Sequence, residues 1–148
     1  MSPQQFFKKD LAFGKIYEQK AIKKLINIGY KLIKTNDTYK YDFKAETEEG
    51  IINNYEVKTT KKECPTIFIE FDNCKGKPTG ISTTKANFYI FVEVSKNDAN
   101  YENYYIISVD KLNKIIINHP LRISKNYFNN ATGYIINKYI IFGSSTQF

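Results

Sequence analysis

The sequence predicts an α/β domain whose central β-sheet is mixed and flanked by helices. Three features support this: an amphipathic helix near the start, a series of short β-like runs after it, and helix-like segments between the later runs. A helix, consecutive strands, and a helix leading to a further strand typically form a sheet with both parallel and antiparallel neighbours. The 148 residues suit one domain spanning residues 1–148.

The first helix is predicted from about Asp10 to Ile28. One stripe recurs at intervals of three or four residues and comprises Gly14, Glu18, Ala21, Ile22, Leu25 and Ile28. The opposite side carries Lys20, Lys23, Lys24 and Asn27. Gly29 supplies the stop signal. Glu18 needs a cationic partner, because an inward carboxylate is costly without one, and pairing with a lysine at the edge of the stripe is the simple explanation.

Short β-like runs follow the helix. They span Tyr30–Lys34, Tyr39–Glu46, Ile51–Lys58, Thr66–Phe71 and Asn87–Val94. Between the last two, Gly80–Lys85 predicts a short helix that Ser82 would cap. The remaining predicted elements are a strand at Tyr104–Val109, a helix at Asp110–Ile117, and a strand pair at Arg122–Phe128 and Tyr134–Phe142.

Charge is unevenly distributed along the chain. The formal net charge is +7, and residues 1–40 hold nine lysines against three acids, whereas the rest is nearly neutral. A basic segment of this kind is typical of proteins that bind nucleic acid. Lys, Ile and Asn are abundant and have A/T-rich codons, so codon bias on a solvated lysine-rich surface is the alternative.

Location and cysteine use are also predicted from composition. No apolar run approaches the roughly 20 residues of a membrane helix, and the first residues lack the pattern of a secretory signal. Cys64 and Cys74 have no partners at the spacing of a zinc site or a disulfide framework. We therefore expect an intracellular protein with two reduced thiols and no membrane association.

A predicted hairpin brings chemically interesting residues together. Gly50 ends the segment Glu48–Gly50, and a three-residue hairpin loop favours glycine at its last position. With that loop, Asp42 lies directly opposite Glu56, and Lys58 shares their face of the sheet. A two-residue loop would place the two acids on opposite faces. An acid-x-Lys triplet alone means little in a lysine-rich chain, so the glycine position is what distinguishes Glu56-Val57-Lys58.

Such a cluster predicts metal-dependent chemistry. Two adjacent carboxylates repel one another unless a cation neutralises them. Carboxylate, carbonyl and water oxygens suit Mg²⁺, with Mn²⁺ as a substitute, rather than zinc. A hard divalent ion with a neighbouring lysine serves phosphodiester hydrolysis well. The cluster therefore predicts a hydrolase that acts on a phosphodiester.

The helical Glu18, then Asp42, then Glu56-Val57-Lys58 after a hairpin resembles the PD-(D/E)XK nuclease superfamily. The similarity covers roughly residues 10–94 and implies the restriction-endonuclease-like core, with αβββαβ order. It implies that Asp42, Glu56 and the Val57 carbonyl bind Mg²⁺, that Lys58 is catalytic, and that the Glu18 carboxylate completes the site. Tyr41 stands where the family often has proline.

The resemblance also implies DNA as the partner and a homodimer or higher oligomer. Thr83, Thr84 and Lys85 resemble a segment that approaches DNA phosphate in several members. Lys20, Lys23, Lys24 and Lys61 are further expected DNA contacts, although a solvated lysine pair at Lys61 and Lys62 is equally consistent. Glu70 is a lesser candidate that would approach the site from the next strand.

The expected function is a Mg²⁺-dependent DNA endonuclease, of a structure-selective resolvase, restriction or homing type. The alternative is a non-catalytic nucleic-acid-binding protein that uses the basic first quarter of the chain. In that case Asp42, Glu56 and Lys58 would form an ordinary cross-strand salt-bridge ladder. A protein-interaction module whose basicity reflects only codon use is a third interpretation.

Overall fold

The structure is a computed structural model that describes residues 3–36, 40–119, 122–127 and 130–148, with the side chains of the first helix described from residue 12. Its elements are α1 (Pro3–Asn27), β1 (Lys31–Thr35), β2 (Phe43–Glu46), β3 (Ile52–Lys61), β4 (Thr66–Asp72), a 3₁₀ turn (Gly80–Ser82), β5 (Phe88–Val94), β6 (Glu102–Ser108), α2 (Val109–Asn118), β7 (Arg122–Asn126), β8 (Ala131–Asn137), α3 (Lys138–Gly143) and β9 (Thr146–Gln147). The predicted α/β class is confirmed.

Two sheets organise the described strands. The larger sheet has six strands in the order β1-β2-β3-β5-β6-β9, and the smaller has three in the order β4-β8-β7. In the larger sheet β3 and β5 run parallel, and the other neighbours are antiparallel. The prediction of a mixed sheet is therefore confirmed.

Helix α1 covers one face of the large sheet. Ala21 and Leu25 are buried there against Phe43, Tyr55 and neighbouring side chains. The predicted stripe holds for Glu18, Ala21, Ile22 and Leu25, all of which are buried. Ile28 is 52% exposed, against prediction, because α1 ends at Asn27 and Gly29 turns the chain with a φ of 106°.

The opposite face of the large sheet packs against the smaller sheet and the later helices. The residues of this second core include Ile67, Ile69, Tyr89, Phe91, Leu112, Ile136 and Ile141. Side chains alternate along a strand, so β3 directs Tyr55 towards α1 and Glu56 towards this second side. None of the helices within the described ranges combines the length and apolar character needed to cross a bilayer.

Several predicted boundaries were wrong. Helix α1 begins at Pro3 rather than Asp10, and the predicted strand over Tyr134–Phe142 divides into β8 and α3. The side chain of Asn137 accepts a hydrogen bond from the Tyr139 amide and starts α3, a local helix cap that outweighs the β-like composition. Ser82 ends the 3₁₀ turn instead of capping it. The predicted strand ends at Tyr39 and Phe128 lie outside the described residues.

Candidate active site

The hairpin between β2 and β3 has the register that the glycine position predicts. Phe43 pairs with Tyr55, and Glu46 pairs with Ile52. Gly50 has a φ of 85°, in the left-handed region that favours glycine. Asp42 precedes β2 by one residue, and its amide donates to the Tyr55 carbonyl at 2.8 Å. The observed pairs end at Phe43 and Tyr55, and Asp42 lies directly beyond them, near enough to Glu56 for its charge to raise the pKa of Glu56.

The Asp42 carboxylate is fixed by the main chain of β3. Its Oδ2 accepts a hydrogen bond from the Val57 amide at 2.7 Å. The N–H and C=O of one strand residue point to the same side of the strand, so the Val57 carbonyl lies on the side that Asp42 occupies. Strand β2 begins at Phe43, so β3 extends beyond it at this point. A carboxylate and a main-chain carbonyl thus adjoin the same edge of β3.

Glu56 and Lys58 lie side by side on β3. Lys58 Nζ is 3.1 Å from Glu56 Oε1. The Glu56 side chain is only 13% exposed, whereas the Lys58 side chain is 46% exposed. The pair therefore has a sheltered carboxylate and an ammonium that solvent or a ligand can reach.

Electrostatics distinguish this cluster from an exposed salt-bridge ladder. Burial raises the pKa of Asp42, although the Val57 amide and Lys58 oppose the shift. Burial also raises the pKa of Glu56, and the charges of Asp42 and Glu18 add to the rise while Lys58 opposes it. Desolvation lowers the pKa of Lys58, but the carboxylate of Glu56 outweighs it and the net shift is upward. The site therefore carries more negative charge than Lys58 offsets, which is a reason for it to bind a cation.

The donor set fits a hard divalent ion. Asp42, Glu56 and the Val57 carbonyl offer oxygen atoms only, which suits Mg²⁺ or Mn²⁺ and disfavours zinc. Within the described ranges, no three His, Cys, Asp or Glu side chains form a group that could hold a metal ion. Such an ion would therefore have two carboxylate ligands and would complete its shell with the carbonyl and water, as Mg²⁺ commonly does.

Glu18 lies near this cluster but has another partner. Its side chain is 10% exposed, and its carboxylate lies 3.4 Å from the Lys15 ammonium. Its charge still acts on Glu56, as the weakest of the influences on that pKa. The lysine pairing of Glu18 is therefore observed, whereas its role in completing the site stays a prediction.

The segment Gly80–Lys85 borders the site. The Thr84 hydroxyl donates to the Lys40 carbonyl at 3.1 Å, and the Lys85 amide donates to the same oxygen at 2.9 Å. Lys40 lies two residues before Asp42. The Thr83 hydroxyl is buried and makes no hydrogen bond within the described part of the protein. The predicted phosphate-binding segment therefore contacts the chain two residues before Asp42, and the Thr83 hydroxyl is enclosed.

Tyr89 is a site residue that the sequence did not indicate. It pairs with Glu56 across the parallel β3–β5 ladder, and burial raises its pKa to about 12. Its hydroxyl makes a hydrogen bond with Thr84, and its pKa responds to the charges of Lys58 and Glu56. The period-two pattern of β5 could have placed Tyr89 on this face, but no sequence signal indicates that β5 adjoins β3.

The predicted helical DNA contacts are partly engaged elsewhere. Lys20 forms an ion pair with Glu102, and Lys24 donates to the Phe148 carbonyl at 3.1 Å. Lys23 is exposed, and Lys61 is exposed at the end of β3. Lys20 and Lys24 thus have local structural roles, whereas Lys23 and Lys61 remain accessible.

Glu70 does not approach from the strand adjacent to the site. It lies on β4, which belongs to the smaller sheet, whereas β5 is the neighbour of β3. The strand that carries Glu70 is therefore not the neighbour of β3, and a site role for Glu70 stays a prediction. The expected approach from the next strand assumed that consecutive strands are adjacent, which the β4 excursion breaks.

Comparison with known proteins gave one structural likeness. The chain matches no protein-family model and no curated protein. The fold is similar to the solved structure of a bacterial homing endonuclease, I-Ssp6803I, with 17% sequence identity and a TM-score of 0.48. The superposition covers 84% of this chain and 76% of the other.

Proposed function

We propose that the protein is a Mg²⁺-dependent DNA endonuclease. The proposal is supported by the cluster at β3, where the Val57 amide donates to Asp42 at 2.7 Å and Lys58 lies 3.1 Å from Glu56. Buried carboxylates with raised pKa values, beside an accessible lysine, are typical of catalytic rather than purely structural sites. The net charge of +7 favours a polyanionic substrate.

In this proposal Asp42, Glu56 and the Val57 carbonyl hold the metal ion, and Mn²⁺ substitutes for Mg²⁺. When bound, the ion would lower the pKa of a water ligand and stabilise negative charge on phosphate oxygens. The Val57 amide orients Asp42 by its hydrogen bond, as partners of metal ligands commonly do. Glu18 strengthens the negative potential that attracts the ion.

Lys58 acts on the phosphate and the attacking water. Its raised pKa keeps the ammonium protonated at neutral pH, so it donates hydrogen bonds and stabilises negative charge that develops on the phosphate. The neighbouring phosphate of the same strand contacts the segment that holds Thr83, Thr84 and Lys85. A dimer would address both strands of a duplex, so we also propose that the active species is a homodimer.

The experiment that tests this function is incubation with a panel of DNA substrates. Supercoiled, linear, single-stranded and four-way-junction DNA are each incubated with Mg²⁺, Mn²⁺ or EDTA. We expect cleavage with either metal and none in EDTA. DNA binding that depends on salt, without cleavage of any substrate in either metal, would instead favour a non-catalytic nucleic-acid-binding protein.

Asp42→Asn is expected to stabilise the protein in EDTA. The amide keeps an oxygen that accepts the Val57 N–H but removes a buried charge. The raised pKa of Asp42 means that folding favours its protonated form. In the wild-type protein the stability that Asp42 contributes is therefore present in acid and is lost as the pH rises through the pKa of the folded state. The melting temperature should rise by about 2–4 °C at neutral pH, and the gain should vanish below the ordinary Asp pKa of 3.8.

The same variant should lose its response to metal. Wild-type protein should gain about 2.7 kcal/mol at a Mg²⁺ concentration 100 times the dissociation constant, because the ion binds the folded state. The matched control is Glu49→Gln, which removes a carboxylate from the exposed hairpin turn and should keep the full gain. A full Mg²⁺-dependent gain in Asp42→Asn would put the ion at a different site.

Glu18→Gln is expected to slow cleavage by about 10²-fold, on the scale of losing a group that supports a metal site. DNA affinity should hold, because the substitution preserves shape and removes a negative charge. The control is Lys15→Met, which breaks the Lys15–Glu18 ion pair but leaves the carboxylate. Equal cleavage by wild type and Glu18→Gln, or an equal loss in both variants, would remove Glu18 from the site.

A further inference from the structure

A cavity of about 180 Å³ lies between the middle of α1 and the segment that joins β5 to β6. Phe13 and Tyr17 form the wall on the helix, and Tyr101 contributes a ring from the other side. Val94 and Ala99 are further apolar lining residues. The volume is below the roughly 300–1,000 Å³ of pockets for drug-sized ligands, so it suits a single planar ring system.

The aromatic walls are held in place by their own contacts. The Tyr101 hydroxyl donates to Glu93 Oε1 at 2.7 Å, and the Glu93 carboxylate pairs with the Lys138 ammonium at 2.8 Å. The Phe13 and Tyr17 rings meet edge to face at 4.9 Å between centroids. Phe13 is nevertheless 41% exposed, so it offers ring surface to a ligand. Preorganised aromatic surface of this kind binds with a small entropic cost.

The rim of the cavity is basic. Lys61 and Lys96 line it, and Lys62 Nζ lies 4.5 Å from the centre of the Tyr101 ring. Asp98 also lines the cavity, and its carboxylate accepts a hydrogen bond from the Asn100 amide. Aromatic side chains inside a lysine-bearing rim are the combination that binds single-stranded nucleic acid, with bases on the rings and phosphates on the lysines.

The cavity lies on the α1 side of the large sheet, whereas Glu56 and Lys58 point to the other side. Lys61 follows Lys58 on β3 by three residues, so their side chains point to opposite faces of the sheet. Tyr17 lines the cavity from α1 and is adjacent to Glu18 in the sequence.

We propose that this cavity binds an unpaired nucleobase, and that the enzyme selects DNA that contains an extrahelical or single-stranded nucleotide. The inference rests on the proposed endonuclease function. A paired base has its faces covered by its neighbours, so only an unstacked base presents a ring face to Phe13 and Tyr17.

The test compares three labelled duplexes of one sequence by fluorescence anisotropy in EDTA, with the full chain. One duplex is fully paired, one carries a single bulged adenosine, and one carries an abasic residue at the bulge. We expect the bulged adenosine to bind about tenfold more tightly than the other two, which is the scale of one base–aromatic stack. Phe13→Ala should remove that advantage and leave the affinities for the paired and abasic duplexes unchanged.

Phe68→Ala is the matched control, because Phe68 is another exposed phenylalanine, at 37%, and lies on β4 outside the cavity. It should leave all three affinities unchanged. Equal wild-type affinity for the adenosine and abasic bulges would overturn the proposal, as would an equal loss for all three duplexes in Phe13→Ala. Mg²⁺-dependent cleavage without any preference for the base would overturn the cavity inference alone, whereas absence of both DNA binding and cleavage would overturn the endonuclease function as well.

Discussion

Lys58→Ala is expected to lower the rate of DNA cleavage by about 10³-fold while DNA binding falls only slightly. The ammonium is the only cation in contact with Glu56 in the described part of the site, and loss of one such transition-state donor costs this much in other enzymes. Binding should change little, because only one of 22 basic residues is lost. The slope of log affinity against log salt concentration should change by less than the value for one phosphate contact. Single-turnover cleavage and anisotropy measure the two effects separately.

Lys44→Ala is the matched control for this experiment. Lys44 lies on the same face of the hairpin as Asp42, two positions away, and the substitution removes the same charge. We expect it to reduce affinity as much as Lys58→Ala does and to cleave at the wild-type rate. If both variants lost affinity and activity in parallel, the lysine would be a DNA contact and not a catalytic residue.

The fold of Lys58→Ala must be intact for this comparison. Without the ammonium, Asp42 and Glu56 repel each other with less compensation, so the melting temperature in EDTA should fall. Mg²⁺ supplies the missing positive charge and should restore it. Recovery of stability without recovery of cleavage would separate the electrostatic role of Lys58 in the fold from its role in the reaction.

The carboxylate cluster could be predicted because its determinants are local. The period-two alternation of Asp42 to Glu46 and one glycine at the end of a tight turn are enough to set which residues share a face. Both features lie within about 17 residues of sequence, and the observed register agrees with them. Local turn geometry thus determines the cross-strand pair.

The partners of that cluster depend on long-range pairing, which the sequence does not display. Tyr89 reaches Glu56 because β5, and not β4, lies beside β3, with β4 diverted into a second sheet. The same diversion removed Glu70 from the expected position. An alternating pattern reports which face a residue occupies but not which strand lies next to it, so these residues were beyond sequence reasoning.

The buried pair of Lys138 and Glu93 shows the same limit more strongly. Lys138 appeared within a predicted strand, as one of 21 lysines with no distinguishing neighbour. Its side chain is 2% exposed and that of Glu93 is 6% exposed, and their charged atoms are 2.8 Å apart. Lys138 Nζ also donates to the Lys62 carbonyl at 2.7 Å, at the end of β3. Only the packing of α3 against the sheet reveals this role.

Lys138→Ala is therefore expected to destabilise the fold by about 3–5 kcal/mol, the usual cost of leaving one member of a buried ion pair without its partner. Glu93 would keep the hydrogen bond from the Tyr101 hydroxyl but lose its charged partner, and the Lys62 carbonyl would lose its donor. The melting temperature should fall by roughly 10 °C. Lys20→Ala is the matched control, because it breaks an ion pair with Glu102 in which Lys20 is 46% exposed, and it should cost at most about 1 kcal/mol.

The double variant Lys138→Met with Glu93→Gln separates charge from packing. Removing both charges together avoids an unpaired buried carboxylate, so much of the lost stability should return, although the Lys62 carbonyl still lacks its donor. If Lys138→Ala melted as Lys20→Ala does, the pair would contribute no more than a surface salt bridge. If the double variant were as unstable as Lys138→Ala, the lysine would act through its contacts with the end of β3 and not through Glu93. Cleavage by the folded fraction would then also fall, because Lys58 lies on β3 and that strand would have lost the Lys138 contacts at its end.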